Sequence, residues 1–79
     1  MNPLSPIPNA RSAANVARNL AKRAEEATTP AARQWYTDAA AMLAPDRWRS
    51  VSARPALAGR LCQVAAGIIT ITHNQTEGA

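Results

Sequence analysis

At 79 residues, with 47% hydrophobic but only 4% aromatic content and no phenylalanine, the chain has room for one domain and a small core. That size argues against a complete enzyme and leaves an isolated monomer marginal, a shortage that self-association or docking onto a larger partner would relieve. The formal charge of +4 favours an anionic partner, either nucleic acid, an acidic protein face or a phosphate.

The charge is unevenly placed. Residues 1–46 carry five bases (Arg11, Arg18, Lys22, Arg23, Arg33) against four acids (Glu25, Glu26, Asp38, Asp46), whereas residues 47–79 carry four arginines (Arg47, Arg49, Arg54, Arg60) against Glu77. The excess therefore lies beyond Asp46. Cys62 is the sole cysteine, so no internal disulfide forms, which suits a reducing compartment. The opening MNPLSPIPNA lacks the basic region and apolar run of a secretory leader. The run from Leu61 to Ile71 is too short to span a bilayer. The expectation is a soluble, cytoplasmic protein.

In chain order, Pro3, Pro6 and Pro8 forbid a regular helix and predict an extended, flexible arm over residues 1–8, the alternative being that Leu4 and Ile7 fold back as a hydrophobic latch on the bundle. Asn9 is the predicted N-cap of a first helix running to about Ala27. Its stripe of Ala13, Val16, Ala17, Leu20, Ala24 and Ala27 is mostly alanine, which allows close approach and buries little area. Arg11, Asn15, Arg18 and Lys22 line much of the other side and read as a solvated face. Thr29 and Pro30 form an N-cap and first-position pair for a second helix, Pro30 to about Ala44. Trp35, Ala39 and Met42 form one of its lines and Tyr36, Ala40 and Leu43 the next, with Trp35 expected inside. Pro45 stops this helix.

Pro45 to Arg54 reads as an irregular basic connection, with Asp46 capping a short turn around Trp48 and Ser52 capping the third main helix. That helix is expected from Pro55 to about His73, because Leu57, Leu61, Val64, Ile68 and Ile71 recur at helical spacing. Gly59 and Gly67 weaken it by roughly 1 kcal/mol each relative to alanine. Residues 68–72 are rich in β-branched side chains and are open to a strand reading; the lack of a second strand favours helix. The expected domain spans residues 9–73, with a disordered tail at 74–79. The architecture is an all-α three-helix bundle.

Catalytic chemistry finds little support. His73 is far in sequence from the acids, Asp38 and Asp46 have no helical reason to pair, and Cys62 sits on an apolar stripe where a structural thiol is the better reading. One cysteine and one histidine do not make a zinc site, and no glycine-rich phosphate loop is present. No catalytic residue, metal or cofactor is assigned. The alanine face of the first helix offers too little apolar area to anchor on a membrane.

The best candidate site is Arg47, Trp48 and Arg49, joined by Arg54 and Arg60. Guanidinium forks bind carboxylates or phosphates, and an exposed tryptophan adds stacking area. The competing reading of Trp48 is a lid packed on the bundle. Leu57-Ala58-Gly59-Arg60-Leu61-Cys62 resembles the first helix and turn of a helix-turn-helix motif, with Ile68 and Ile71 at apolar positions of its recognition helix. Cys62 stands at the customary turn glycine and Gln63 replaces an apolar residue. The surface facing the bases would be Ala65, Ala66, Gly67, Ile69 and Thr70, which carries no side chain suited to reading base edges.

The favoured function is a non-catalytic protein-interaction module, a small accessory or inhibitory protein of the phage or mobile-element type. It would dock on the acidic face of a larger protein through the Arg/Trp patch, with a homo-oligomer as a further partner class. The alternative is a DNA-binding regulator whose arginines contact phosphates and whose affinity falls with salt.

Overall fold

A computed structural model describes residues 5–71 of the chain. The expectations for Leu4, for the end of the last helix at residues 72–73 and for the tail at 74–79 lie outside the described residues. The described residues form four helices and no strand: α1 (Ala10–Glu26), α2 (Pro30–Ala41), α3 (Trp48–Ser52) and α4 (Pro55–Ala65). α1 packs on both α2 and α4, and α3 packs on α4.

The start signals of the first two helices work as the sequence predicts. The Asn9 side chain accepts a hydrogen bond from the Ser12 amide at 2.9 Å, and the Thr29 hydroxyl accepts one from Ala32 at 3.1 Å. Each satisfies an amide that the helix itself leaves without a partner. α2 ends at Ala41, a turn earlier than expected. Pro45 disfavours helical geometry at Ala44, and the chain tightens beforehand into turns in which Leu43 and Ala44 donate to Ala40 and Ala41.

Neither expected cap in the connection forms. Arg47 and Arg54 hold the N-cap positions of α3 and α4, and neither helix has a side-chain cap. Ser52 instead ends α3 and donates its hydroxyl to the Ile7 carbonyl at 2.7 Å. That bond ties the N-terminal segment down, and Ile7 is completely buried. The arm expected to be flexible thus contributes one of the largest core side chains. Burying an isoleucine is worth roughly 1.5–3 kcal/mol, which a core built largely of alanine needs.

The last helix departs most from expectation. α4 stops at Ala65, and residues 66–71 are neither helix nor strand. Gly67 takes φ +85°, Ile68 donates to the Gln63 carbonyl at 2.9 Å, and Gly67 donates to Val64 at 3.1 Å. This pair of bonds is a Schellman terminator, and a glycine in left-handed geometry is what allows it. Gly67 is therefore the stop signal rather than a weak point within a longer helix. Past it the chain turns so that Ile68 is 73% exposed while Ile71 is buried. The Ile71 amide donates to the Tyr36 hydroxyl at 3.0 Å.

The core gathers Ile7, Leu20, Tyr36, Leu43, Val51, Leu61, Val64 and Ile71, with alanines between them. Tyr36 takes the buried aromatic place, and Trp35 is half-buried against it, edge to face at 5.9 Å. Two arginines do structural work near helix ends. Arg23 on α1 donates from Nε to the Ala65 carbonyl at 3.3 Å, where α4 presents its negative dipole end, and also pairs with Glu26 at 3.7 Å. Arg33 reaches the Ala27 carbonyl at 3.4 Å. Among the described residues no helix is long and apolar enough to cross a membrane.

Candidate functional site

The turn after α2 delivers Arg47, Trp48 and Arg49 to the start of α3. Arg47 and Arg49 are exposed, and Trp48 is half-buried, packed on one side against the core. The Arg49 guanidinium carbon lies 5.6 Å from the centre of the Trp48 ring, within cation–π range. Trp48 is therefore both packed and partly displayed, which combines the two readings its sequence position allowed. Arg54 holds the N-cap position of α4 through its backbone, accepting from Ala58 and donating to Val51, each at 2.9 Å. Its side chain is exposed, as is that of Arg60 further along α4.

Two of these charges are not placed for helix stability. Arg47 holds the N-cap position of α3 and Arg54 that of α4, where a cation is disfavoured by the helix dipole, whereas Arg49 belongs to the last turn of the five-residue α3. Among the described residues the one ion pair is Arg23 with Glu26. Arg47, Arg49, Arg54 and Arg60 have no described carboxylate within 4.0 Å and no described hydrogen-bond partner for their side chains.

The five predicted residues do not share one surface depression. Arg60 lies beside Leu57, Gln63 and Ile69 on a shallow α4 depression. Trp48 instead closes one end of an apolar groove of about 710 Å³ between α1 and α2. Ala10, Ala14, Ala17 and Ala21 form its α1 wall, and Thr37, Ala40, Ala41 and Ala44 its α2 wall. Arg18 also lines it. The groove is absent from the sequence reading, which traces only the buried stripe of α1. Its signal is nonetheless present: Ala10, Ala14, Ala17 and Ala21 recur at steps of four, three and four, a second stripe beside the first.

Two other expectations are clarified by the helix boundaries. A helix-turn-helix does not form over residues 57–71, because α4 runs unbroken through Cys62, where the motif would turn, and no recognition helix comes after it among the described residues. Cys62 is half-buried, with Sγ 4.0 Å from the Pro6 carbonyl, and burial pushes its thiol pKa up. That is the opposite of the activation a nucleophilic thiol needs. Among the described residues no three histidine, cysteine or carboxylate side chains cluster as metal ligands would.

Comparison with protein-family models, with curated proteins and with solved structures finds no match to this chain.

Proposed function

We propose that this protein is a non-catalytic interaction module that docks on the acidic face of a larger protein. It would act as a small accessory or inhibitory component of the kind that phages and mobile elements carry. α1, α2 and α4 serve as a three-helix scaffold, and the Arg47-Trp48-Arg49 cluster with Arg54 and Arg60 forms the contact surface. The observation that carries this reading is the set of exposed arginines without described acidic partners, two of them at helix N-cap positions and Arg49 over the face of a half-displayed Trp48. Arginine and tryptophan are the side chains that most often dominate the energetics of protein interfaces. Arg47 and Arg54 oppose the helix dipole at their N-cap positions, so a partner carboxylate gives a physical reason for their placement.

The test is affinity capture with wild-type protein and with the double variant Trp48→Ala, Arg49→Ala, alongside titration of labelled duplex DNA across a salt series. The expected result is a protein partner that wild type retains and the double variant loses, with helicity by circular dichroism unchanged. Saturable duplex binding that weakens steeply with salt and disappears on replacing the arginines would overturn the reading in favour of nucleic acid. Unfolding of the double variant would show Trp48 to be core and would remove it from the contact surface. The arginine variant Arg47→Ala, Arg54→Ala, which touches no buried side chain, then decides whether the charges bind a protein.

A further inference from the structure

We propose that the groove between α1 and α2 is a docking site for an acidic amphipathic helix of another protein, with Trp48 closing one end. This inference deepens the interaction-module reading and rests on it. The α1 wall from Ala10 to Ala21 rises over eleven residues, about 17 Å or three helical turns, which matches a guest helix of similar length. Both walls are almost wholly alanine with Thr37, so the guest backbone can approach to the short end of helix–helix distances, roughly 8–10 Å. Such a groove accepts apolar side chains at helical spacing, the anchors of helix-in-groove recognition.

Charge selects the guest. Arg11, Arg18 and Lys22, spaced seven and four apart, line one edge of the alanine wall on α1, and all three are exposed. Arg47 and Arg49 flank Trp48 at the closed end. No carboxylate lines this groove. Acids do occur beside it: Glu25 lines the neighbouring recess with Ala21, Asp46 is exposed next to groove-lining Pro45, and Asp38 accepts a hydrogen bond from Gln34 at 2.8 Å. A guest helix carrying aspartate or glutamate beside its apolar stripe would meet Arg18 in the groove, with Arg11 and Lys22 in line with it along α1.

Other occupants fit less well. A second copy would bring together two chains of +4 and would offer no groove-lining carboxylate to the other's Arg18. A lipid surface needs more apolar area than alanine supplies. Nucleic acid needs donors and acceptors on the walls, and alanine has none on its side chain.

The test uses the full-length protein and a capped synthetic peptide of about 18 residues, long enough to hold helix, with leucines on one stripe and glutamates alongside. A twin carries lysine in place of every glutamate. Amide chemical shifts locate the contact, and Trp48 fluorescence in a Trp35→Phe background reports occupancy. The glutamate peptide is expected to shift the amides of Ala14, Ala17 and Ala40 and to move Trp48 emission to shorter wavelength. The lysine twin and the variant Ala17→Glu should each bind at least about tenfold more weakly. Because Ala17 is half-buried against the core, the variant Ala14→Glu, at an exposed groove residue, repeats the test with helicity and melting temperature unchanged.

Equal binding by the lysine twin or by Ala17→Glu overturns the groove assignment. Shifts confined to Arg54 and Arg60 also overturn it, while leaving acidic docking itself intact. A dimer in sedimentation velocity that Ala17→Glu dissolves would give the groove to a second copy instead. Absence of any peptide binding ends the groove proposal, and capture with the Arg47→Ala, Arg54→Ala variant then decides separately whether the module reading survives.

Discussion

Leu20 and Ala21 are neighbours on α1, and they belong to opposite faces of the α1–α2 pair. Leu20 is fully buried in a core shared with Ile7, Leu61, Val64 and Ile71, whereas Ala21 is exposed on the wall of an open groove. Alanine occurs on both faces and so does not tell them apart. What separates them is where the few large aliphatic side chains from α4 and the two terminal segments settle. Ile7, Leu61, Val64 and Ile71 go to the inner face, and the outer face is left lined by methyl groups with arginines and a lysine along its edge. A small chain with little apolar volume can complete one face of a helix pair, and the other stays available.

The largest expected effect probes that asymmetry directly. Leu20→Ala should cost about 2–5 kcal/mol, read from urea or thermal unfolding, because it empties a closed site. One residue along, Ala21→Leu should change stability by less than about 0.5 kcal/mol, since the added side chain enters open groove. Equal destabilisation by both would mean that the outer face is not open, and the comparison would fail.

A smaller pair of effects sharpens the contrast at two glycines of the α4 region. A Cβ built on Gly67 lies 2.6 Å from an Arg23 guanidinium nitrogen, at a φ of +85°. Gly67→Ala should therefore destabilise by about 1–2 kcal/mol, through backbone strain and displacement of Arg23 from the Ala65 carbonyl. At Gly59 a Cβ meets only the Pro6 ring at 3.9 Å, an ordinary contact. Gly59→Ala should stabilise by about 0.5–1 kcal/mol through helix propensity. The two melting temperatures should move in opposite directions.

The smallest effect is at Cys62. Burial disfavours its thiolate and raises its pKa, so less of the reactive form is present at any given pH. Alkylation by iodoacetamide at pH 8 should be slower than for a free cysteine and should rise with pH to a later plateau. The linkage has a definite sign: the native state holds its proton longer than the unfolded chain, so this group's contribution to stability declines once pH passes the ordinary thiol range. Alkylation as fast as that of free cysteine would show the N-terminal segment does not cover the thiol.

Local signals are legible in the sequence because they act over a single turn. Asn9 and Thr29 cap their helices as their side chains dictate, and Pro30 opens α2. The basic connection is also visible as a run of charges, and its exposure agrees with the cost of burying them. Gly67 misleads for a reason of the same kind. Periodicity counts Ile68 and Ile71 as further turns of helix, although a glycine ahead of β-branched residues also fits a terminator, and the closing bonds to Gln63 and Val64 settle which one forms. The alanine groove escapes notice because periodicity assigns one stripe on α1 to the core and gives the stripe beside it no separate role.

By itself, then, the sequence determined an all-helical chain, the two N-caps, a charge excess beyond Asp46 and a shortage of large apolar side chains. Tertiary structure decided what periodicity leaves degenerate. It made the second alanine stripe of α1 the wall of an open groove, drew Ile7 and Ile71 from flanking segments into the core, and left Trp48 at the mouth of that groove. The reason is that helical spacing specifies which residues share a face, whereas burial depends on which face the rest of the chain has volume enough to cover.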